Sequence, residues 1–168
     1  MFPSLFISHG SPMLALEPGA SGPALAQIAA SLPRPRAIVI VSAHWESTQL
    51  EVNINPQPET WHDFGGFPPE LFAVQYPASG APEVSAQVAE LLSAGGLPVK
   101  LNKSRPVDHG VWVPLSLMYP QADIPVVQVS LPSQHDPDLQ TRIGRALAPL
   151  REQGILIIGS GSITHNLR

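Results

Sequence analysis

The feature that most constrains the fold is a continuous apolar segment, AIVIV, at residues 37–41. A short run of β-branched side chains like this one is typical of a strand that is buried on both faces of a sheet. Further strand-like runs occupy residues 5–8, 50–54, 98–101, 125–130 and 154–158, and helix-like segments occupy residues 21–31, 82–94, 111–118 and 136–151. This alternation predicts an α/β fold with a central, mostly parallel sheet flanked by helices.

The chain has 168 residues, which is enough for one domain with a hydrophobic core. No linker or internal repeat divides it, so we expect a single domain over residues 1–168. The sequence stops directly after a loop rich in Gly and Ser, GSGSITH at residues 159–165, rather than after an element that closes the fold. We therefore expect that a C-terminal part of the domain is missing.

Composition excludes several classes of function. The net charge is −4, and no basic cluster is present, which argues against nucleic-acid binding. Cys is absent, so a metal site has to use His and carboxylate ligands. The N-terminus lacks a signal peptide and no apolar run is long enough to span a membrane, so a cytoplasmic location is the expectation. Only 13% of the residues are charged, which favours self-association into a homo-oligomer.

Histidines follow three of the predicted strands: His9, His44 and His165. In open α/β sheets, binding sites form where loops leave the carboxyl ends of strands. Imidazole is both the commonest protein metal ligand and a proton carrier near neutral pH. The sequence therefore predicts a metal site held by loop histidines that include His9 and His44.

Each histidine also has a purely structural interpretation. His9 and His44 can be core histidines satisfied by nearby backbone, and His165 can lie in a flexible tail. His109, in the sequence DHGVW, can be a structural residue of a turn that caps a helix. Its neighbour Asp108 cannot orient its ring by adjacency alone. His62 can line the mouth of a pocket, although an ordered surface loop is the preferred interpretation, and His135, which precedes a helix cap, is interpreted as structural. Ser11 and Ser160 lack the Gly-x-Ser-x-Gly frame of a nucleophile.

Several motifs together carry a family resemblance. They are SHGSP at residues 8–12, SAHW at 42–45, HDFGGFP at 62–68, DHGVW at 108–112 and GSGSITHNLR at 159–168. In this order they resemble the class III extradiol ring-cleavage dioxygenases (LigB-like), in particular the DOPA 4,5-dioxygenase-like branch. The resemblance covers the whole chain.

The resemblance implies a non-haem dioxygenase that opens the ring of a small, DOPA-like catechol with O₂. It implies Fe(II) for activity, with zinc possible in the isolated protein, and His9 and His44 as metal ligands. It assigns catalytic roles to His165, as acid/base, and to His109, which lines the site. The aromatic side chains Trp45, Phe64 and Trp112 are candidates for the substrate pocket.

The sequence departs from this family in length. Family members continue beyond the end of this chain and take a third metal ligand from there, and no counterpart is evident here. Two alternatives therefore stay open: a zinc-dependent hydrolase on a similar scaffold, with His165 as base to a zinc-bound water, and an inactive fragment that needs the missing segment.

Overall fold

Strands and helices alternate along the chain much as the sequence predicts. The computed structural model describes residues 1–163. The strands are β1 (Ser4–Ser8), β2 (Ala37–Ser47), β3 (Leu50–Asn53), β4 (Val99–Asn102), β5 (Val126–Pro132) and β6 (Ile155–Gly161). The α-helices are α1 (Ser21–Ser31), α2 (Pro69–Phe72), α3 (Pro82–Ala94), α4 (His109–Met118) and α5 (Pro137–Leu147), and two 3₁₀ helices span Pro12–Ala15 and Ala148–Gln153.

The strands form one six-stranded sheet in the order β1-β6-β2-β5-β3-β4. The first four strands in this order run parallel to one another, whereas β3 is antiparallel to β5 and parallel to β4. The prediction of a central, mostly parallel sheet flanked by helices is confirmed. The carboxyl ends of β1, β6, β2 and β5 consequently lie at one edge of the sheet, which is where sites form in such folds.

Both faces of the sheet are covered, which explains the continuously apolar central strands. Because successive side chains of a strand point to opposite faces, Ile38 and Ile40 of β2 pack into one core with α1 and α4, and Val39 packs into a second core with α3 and α5. Helix α4 is buried along nearly its whole length. No helix within residues 1–163 is long and apolar enough to cross a membrane.

The structure corrects the expected position of His44. The sequence predicts a strand over residues 37–41 followed by a loop, but β2 continues to Ser47 and includes His44. Its register with β5 shifts between Val41 and Glu46, so the chain stays extended past a local irregularity. His44 is therefore a strand residue, and the description of both metal-ligating histidines as loop residues is wrong for this one.

Two helix boundaries also differ from expectation. Helix α4 begins at His109, two residues before the predicted start. The predicted helix over residues 136–151 divides into α5 and the 3₁₀ helix Ala148–Gln153. A proline at residue 149 accounts for the division, because its nitrogen cannot donate the hydrogen bond that would continue an α-helix.

Candidate metal centre

Three histidines meet at the carboxyl edge of the sheet. His9 follows directly after β1, His44 lies in the irregular part of β2, and His109 is the first residue of α4. One ring nitrogen from each residue lies within 4.8 Å of the other two, and the Nε2 atoms of His9 and His44 are 2.9 Å apart. The ring centroid of His109 is 4.0 Å from that of His44 and 5.3 Å from that of His9. We call these three side chains the histidine cluster.

His9 is buried and held from two sides. Its backbone N–H donates to the carbonyl oxygen of Gly161 (3.2 Å), and its Nδ1 lies 2.8 Å from Oγ of Ser160 on β6. Burial is the largest influence on the pKa of the His9 ring, and repulsion from positive charge on His44 and His109 lowers this pKa further. Together they lower the pKa of His9 from 6.5 to about 4. The imidazole of His9 is therefore neutral near pH 7, as a metal ligand has to be.

Asp63 orients His109 from the long loop that precedes α2. Its Oδ1 accepts a hydrogen bond from the His109 backbone N–H (3.0 Å) and lies 2.9 Å from Nδ1 of the His109 ring. Burial by itself would raise the pKa of the Asp63 carboxyl, but the hydrogen bonds from the His109 side chain and backbone outweigh it and lower that pKa. Asp63 is therefore an ionised acceptor at neutral pH, and Nε2 is the remaining nitrogen of the His109 ring.

A fully buried carboxylate, Asp108, supports the cluster from within the protein. It accepts hydrogen bonds from Oγ of Ser42 (2.6 Å), from Nε2 of Gln128 on β5 (2.5 Å) and from Nη2 of Arg105 (3.2 Å). Oγ of Ser42 also accepts the backbone N–H of His44 (3.2 Å). Asp108 thus links β2, β5 and the start of α4, the elements that carry or adjoin the histidines.

Arg105 lies between two indole rings. Its guanidinium carbon is 4.8 Å from the ring centroid of Trp45 and 4.7 Å from that of Trp61, and Nη2 donates to the carbonyl oxygen of His44 (3.2 Å). Stacking of this kind fits the planar, weakly hydrated guanidinium group. Trp45, a candidate for the substrate pocket, is buried against this arginine.

An aromatic group borders the cluster on the side of His109. The ring centroid of Phe64 is 5.7 Å from that of His109 and 6.1 Å from that of Trp112. Trp112 is fully buried and donates its indole N–H to the carbonyl oxygen of Trp61 (2.9 Å). Phe64, one of the three aromatic candidates, therefore packs its ring against His109 of the histidine cluster.

Gly110 allows these elements to approach closely. A Cβ at this position would overlap Oγ of Ser42 and would lie 3.1 Å from both Oδ1 of Asp108 and Cδ2 of His44. The carbonyl oxygen of Gly110 accepts a short hydrogen bond from Oγ of Ser160. Helix α4 can therefore lie against β2 and β6 only because this residue has no side chain.

The structure brings together His9 and His44, as the sequence predicts, and places beside them His109, which the resemblance assigns to the site. His165 lies outside the described residues, so its catalytic role stays a prediction. His62 packs among aromatic rings with its Nε2 2.9 Å from the carbonyl oxygen of Val74, and His135 is exposed beside Glu46. Neither belongs to the histidine cluster, and a place for His62 at the mouth of the pocket stays a prediction.

Sequence reasoning missed Asp63, Ser160 and Asp108 as supports of the cluster. Asp63 and His109 are 46 positions apart, and Ser160 and His9 are 151 apart. No local pattern connects residues at such separations. The Asp directly before His109 does not bind its ring but turns instead toward Ser42, Gln128 and Arg105.

The donor set fits a divalent first-row metal ion. The possible ligands within residues 1–163 that lie close enough together are imidazoles. Imidazole nitrogen suits zinc, iron, copper and nickel, whereas calcium and magnesium prefer oxygen ligands. The arrangement is therefore a metal-binding site whose donors do not by themselves choose between iron and zinc.

Comparisons with known proteins agree with this site. Residues 3–168 match the family described as the catalytic LigB subunit of aromatic ring-opening dioxygenase. A 4,5-DOPA dioxygenase extradiol from Beta vulgaris is 44% identical over 166 residues, which is 96% of this chain and 62% of that protein. A protein of the same name from Escherichia coli K12 is 45% identical over 167 residues, 99% of this chain and 61% of that protein.

A solved structure extends the likeness to the fold. The crystal structure of an uncharacterized protein from Escherichia coli K12 superposes with a TM-score of 0.82 at 39% identity and covers 100% of this chain and 63% of that one. The chain thus spans about three-fifths of the length of the relatives it matches. With a family match over nearly all of its residues, the chain belongs to the LigB family of aromatic ring-opening dioxygenases.

Proposed function

We propose that this chain carries the metal-binding and catechol-binding part of an extradiol dioxygenase that opens the ring of a small, DOPA-like catechol with O₂. The observation that carries the proposal is the histidine cluster at the carboxyl edge of the sheet. The names of the relatives, 4,5-DOPA dioxygenase extradiol, support the substrate class. They do not favour a zinc-dependent hydrolase.

The working metal in this proposal is Fe(II), held by His9 and His44. Iron bound there would supply the redox chemistry for the reaction of O₂ with the catechol. The two histidines bind it as neutral ligands, and burial keeps His9 in that state. Zinc binds to the same donors but lacks redox chemistry, so in this proposal a zinc-loaded protein is inactive.

His109 is proposed to take up a phenol proton of the catechol through Nε2. Its Nδ1 is held by Asp63, which keeps Nε2 as the nitrogen that can accept a proton. Phe64 offers the face of a flat, apolar ring beside it. His165 remains the predicted second acid/base.

Oxygen consumption by the iron-loaded chain tests the proposal. We expect that the protein, loaded anaerobically with Fe(II) and mixed with DOPA and O₂, consumes O₂ and forms a yellow ring-opened product with the mass of DOPA plus O₂, or of that sum less one water once the new aldehyde has condensed with the amine. With ¹⁸O₂, one labelled atom should be retained in the new carboxylate. No oxygen uptake by protein with bound iron would contradict the proposal.

Three histidine variants separate the roles. His9→Ala should lose bound iron, because it removes a ligand. His109→Gln should keep iron and lose turnover by roughly 100-fold or more, the usual effect of removing an acid/base group. His135→Ala is the matched control, since this histidine is exposed and its ring lies beside Glu46, and it should behave as the unmodified chain. Loss of iron from His109→Gln would make His109 a ligand instead.

A further inference from the structure

The hydrogen bonds around the histidine cluster allow the ring protons to be assigned. A neutral imidazole carries its hydrogen on Nδ1 or on Nε2, and only the nitrogen without hydrogen can bind a metal ion. The choice follows when the partner of one ring nitrogen can act only as an acceptor or only as a donor. The rings of His9 and His109 have such partners.

Ser160 decides the tautomer of His9. Its hydroxyl has one hydrogen, and the close contact of Oγ with the carbonyl oxygen of Gly110 requires that hydrogen, because a carbonyl can only accept. Oγ therefore has only lone pairs left for Nδ1 of His9, 2.8 Å away. The hydrogen of that contact has to come from His9, which leaves Nε2 of His9 without one.

Asp63 decides the tautomer of His109 in the same way. Its Oδ1 accepts the backbone N–H of His109, and the same acceptor oxygen lies 2.9 Å from Nδ1 of the ring, so Nδ1 carries the hydrogen of that contact. One oxygen thus fixes the position of the ring and the position of its proton.

His44 completes the assignment. Its Nε2 lies 2.9 Å from Nε2 of His9, which is a hydrogen-bond distance. Two bare nitrogens at that separation would repel each other, and His9 has no hydrogen on this atom. In the metal-free protein His44 therefore donates from Nε2 to His9.

We propose that Ser160 and Asp63 are positioning residues that hold His9 and His109 as Nδ1–H tautomers, so that both rings present a bare Nε2 at the histidine cluster before any metal binds. This deepens the proposed metal centre and rests on that proposal for its functional consequence. His9, as a ligand already in the correct tautomer, loses no free energy to proton rearrangement when metal binds, and His109 has an unprotonated Nε2 that can accept a proton. Partners of metal-ligating histidines that act in this way typically contribute roughly 10–100-fold to metal affinity.

Nitrogen NMR of the metal-free chain tests the assignment directly. With ¹⁵N-labelled histidine at a pH where the rings are neutral, His9 and His109 should each show a protonated Nδ1 and an unprotonated Nε2, and His44 should show a protonated Nε2. An unprotonated Nδ1 on either His9 or His109 would overturn the proposal, whatever the protein binds.

Substitutions then separate positioning from general stability. Ser160→Ala should leave His9 as a mixture of tautomers and weaken Zn²⁺ binding, measured by calorimetry, by roughly 10-fold or more. Ser85→Ala is the matched control, because Ser85 is also buried and also donates to a backbone carbonyl, that of Asn53. It should bind Zn²⁺ as the unmodified chain does. Equal Zn²⁺ affinities for the two folded variants would overturn the proposal.

Asp63 offers a rescue test because both of its bonds to His109 end on one oxygen. Asp63→Asn keeps an oxygen in that place and should preserve the Nδ1–H tautomer of His109, whereas Asp63→Ala should lose it. Identical tautomer populations in Asp63→Ala and the unmodified chain would contradict the role of Asp63. Correct tautomers in a chain that shows no oxygen uptake would instead count against the proposed function alone.

Discussion

Replacement of Asp108 by Asn removes one negative charge from the interior beneath the histidine cluster and leaves the shape of the side chain unchanged. The Asp108 side chain is 0% exposed and that of its partner Arg105 is 15% exposed, so the pair is largely out of contact with water. Oδ1 accepts from Ser42 and Oδ2 accepts from Gln128 and Arg105. We expect the variant to fold and to be clearly less stable.

The magnitude follows from what Asn can and cannot replace. Its oxygen can accept from Gln128 and Arg105, and its amide can donate to Oγ of Ser42, so the number of hydrogen bonds is nearly kept. The charge is lost, and removing one partner of a buried ion pair costs about 3–5 kcal/mol. Hydrogen bonds to charged groups contribute about 1.5–3 kcal/mol each, against about 1 kcal/mol for neutral ones. Because the hydrogen bonds persist in weaker form, we expect a loss of about 3 kcal/mol in the free energy of unfolding.

Urea unfolding of metal-free protein at pH 7 measures this loss. The matched control is Asp123→Asn, which makes the same change in an ion pair with Arg34 whose side chains are 61% and 51% exposed, with a separation of 2.6 Å. Water and salt screen such an exposed pair, so Asp123→Asn should change the free energy of unfolding far less than Asp108→Asn does. Equal free energies of unfolding for the two variants would refute the argument that burial makes Asp108 important.

Two further predictions concern stability at the same site. In metal-free protein the pKa of His9 falls from 6.5 to about 4 on folding, so between these pH values the unfolded chain binds more protons than the folded chain. The free energy of unfolding should therefore decrease by up to about 3 kcal/mol as the pH falls from 6.5 to 4. In urea unfolding, His9→Gln should show a shallower dependence on pH. Gly110→Ala should lower the free energy of unfolding by about 1–2 kcal/mol, because overlap with Ser42 outweighs the helix preference for Ala. The control is Gly144→Ala in α5, where nothing lies within 4 Å of the added Cβ, and it should raise the free energy of unfolding by about 0.5–1 kcal/mol. A Gly110→Ala variant that is more stable than the unmodified chain would contradict the close approach described for α4.

Much of the fold and part of the site can be predicted from local sequence. The apolar, β-branched run at residues 37–41 favours a strand with both faces covered, and it lies at the centre of the sheet. The meeting of His9 and His44 also follows from local pattern, because parallel strands have their carboxyl ends at the same edge. The continuation of β2 through His44 could not be predicted, since it depends on where β5 resumes pairing beyond the irregularity.

The sequence by itself determined which residues can supply a metal site: a chain without Cys, with histidines after buried strands, leaves imidazole as the main donor. It did not determine which nitrogen of each ring faces the site. That depends on Ser160 for His9 and on Asp63 for His109, partners far away in the chain that lie beside these rings only after the sheet and α4 have assembled. The physical reason is that strand and helix patterns arise from neighbouring residues, whereas a buried hydrogen bond forms between any two groups that packing places about 3 Å apart.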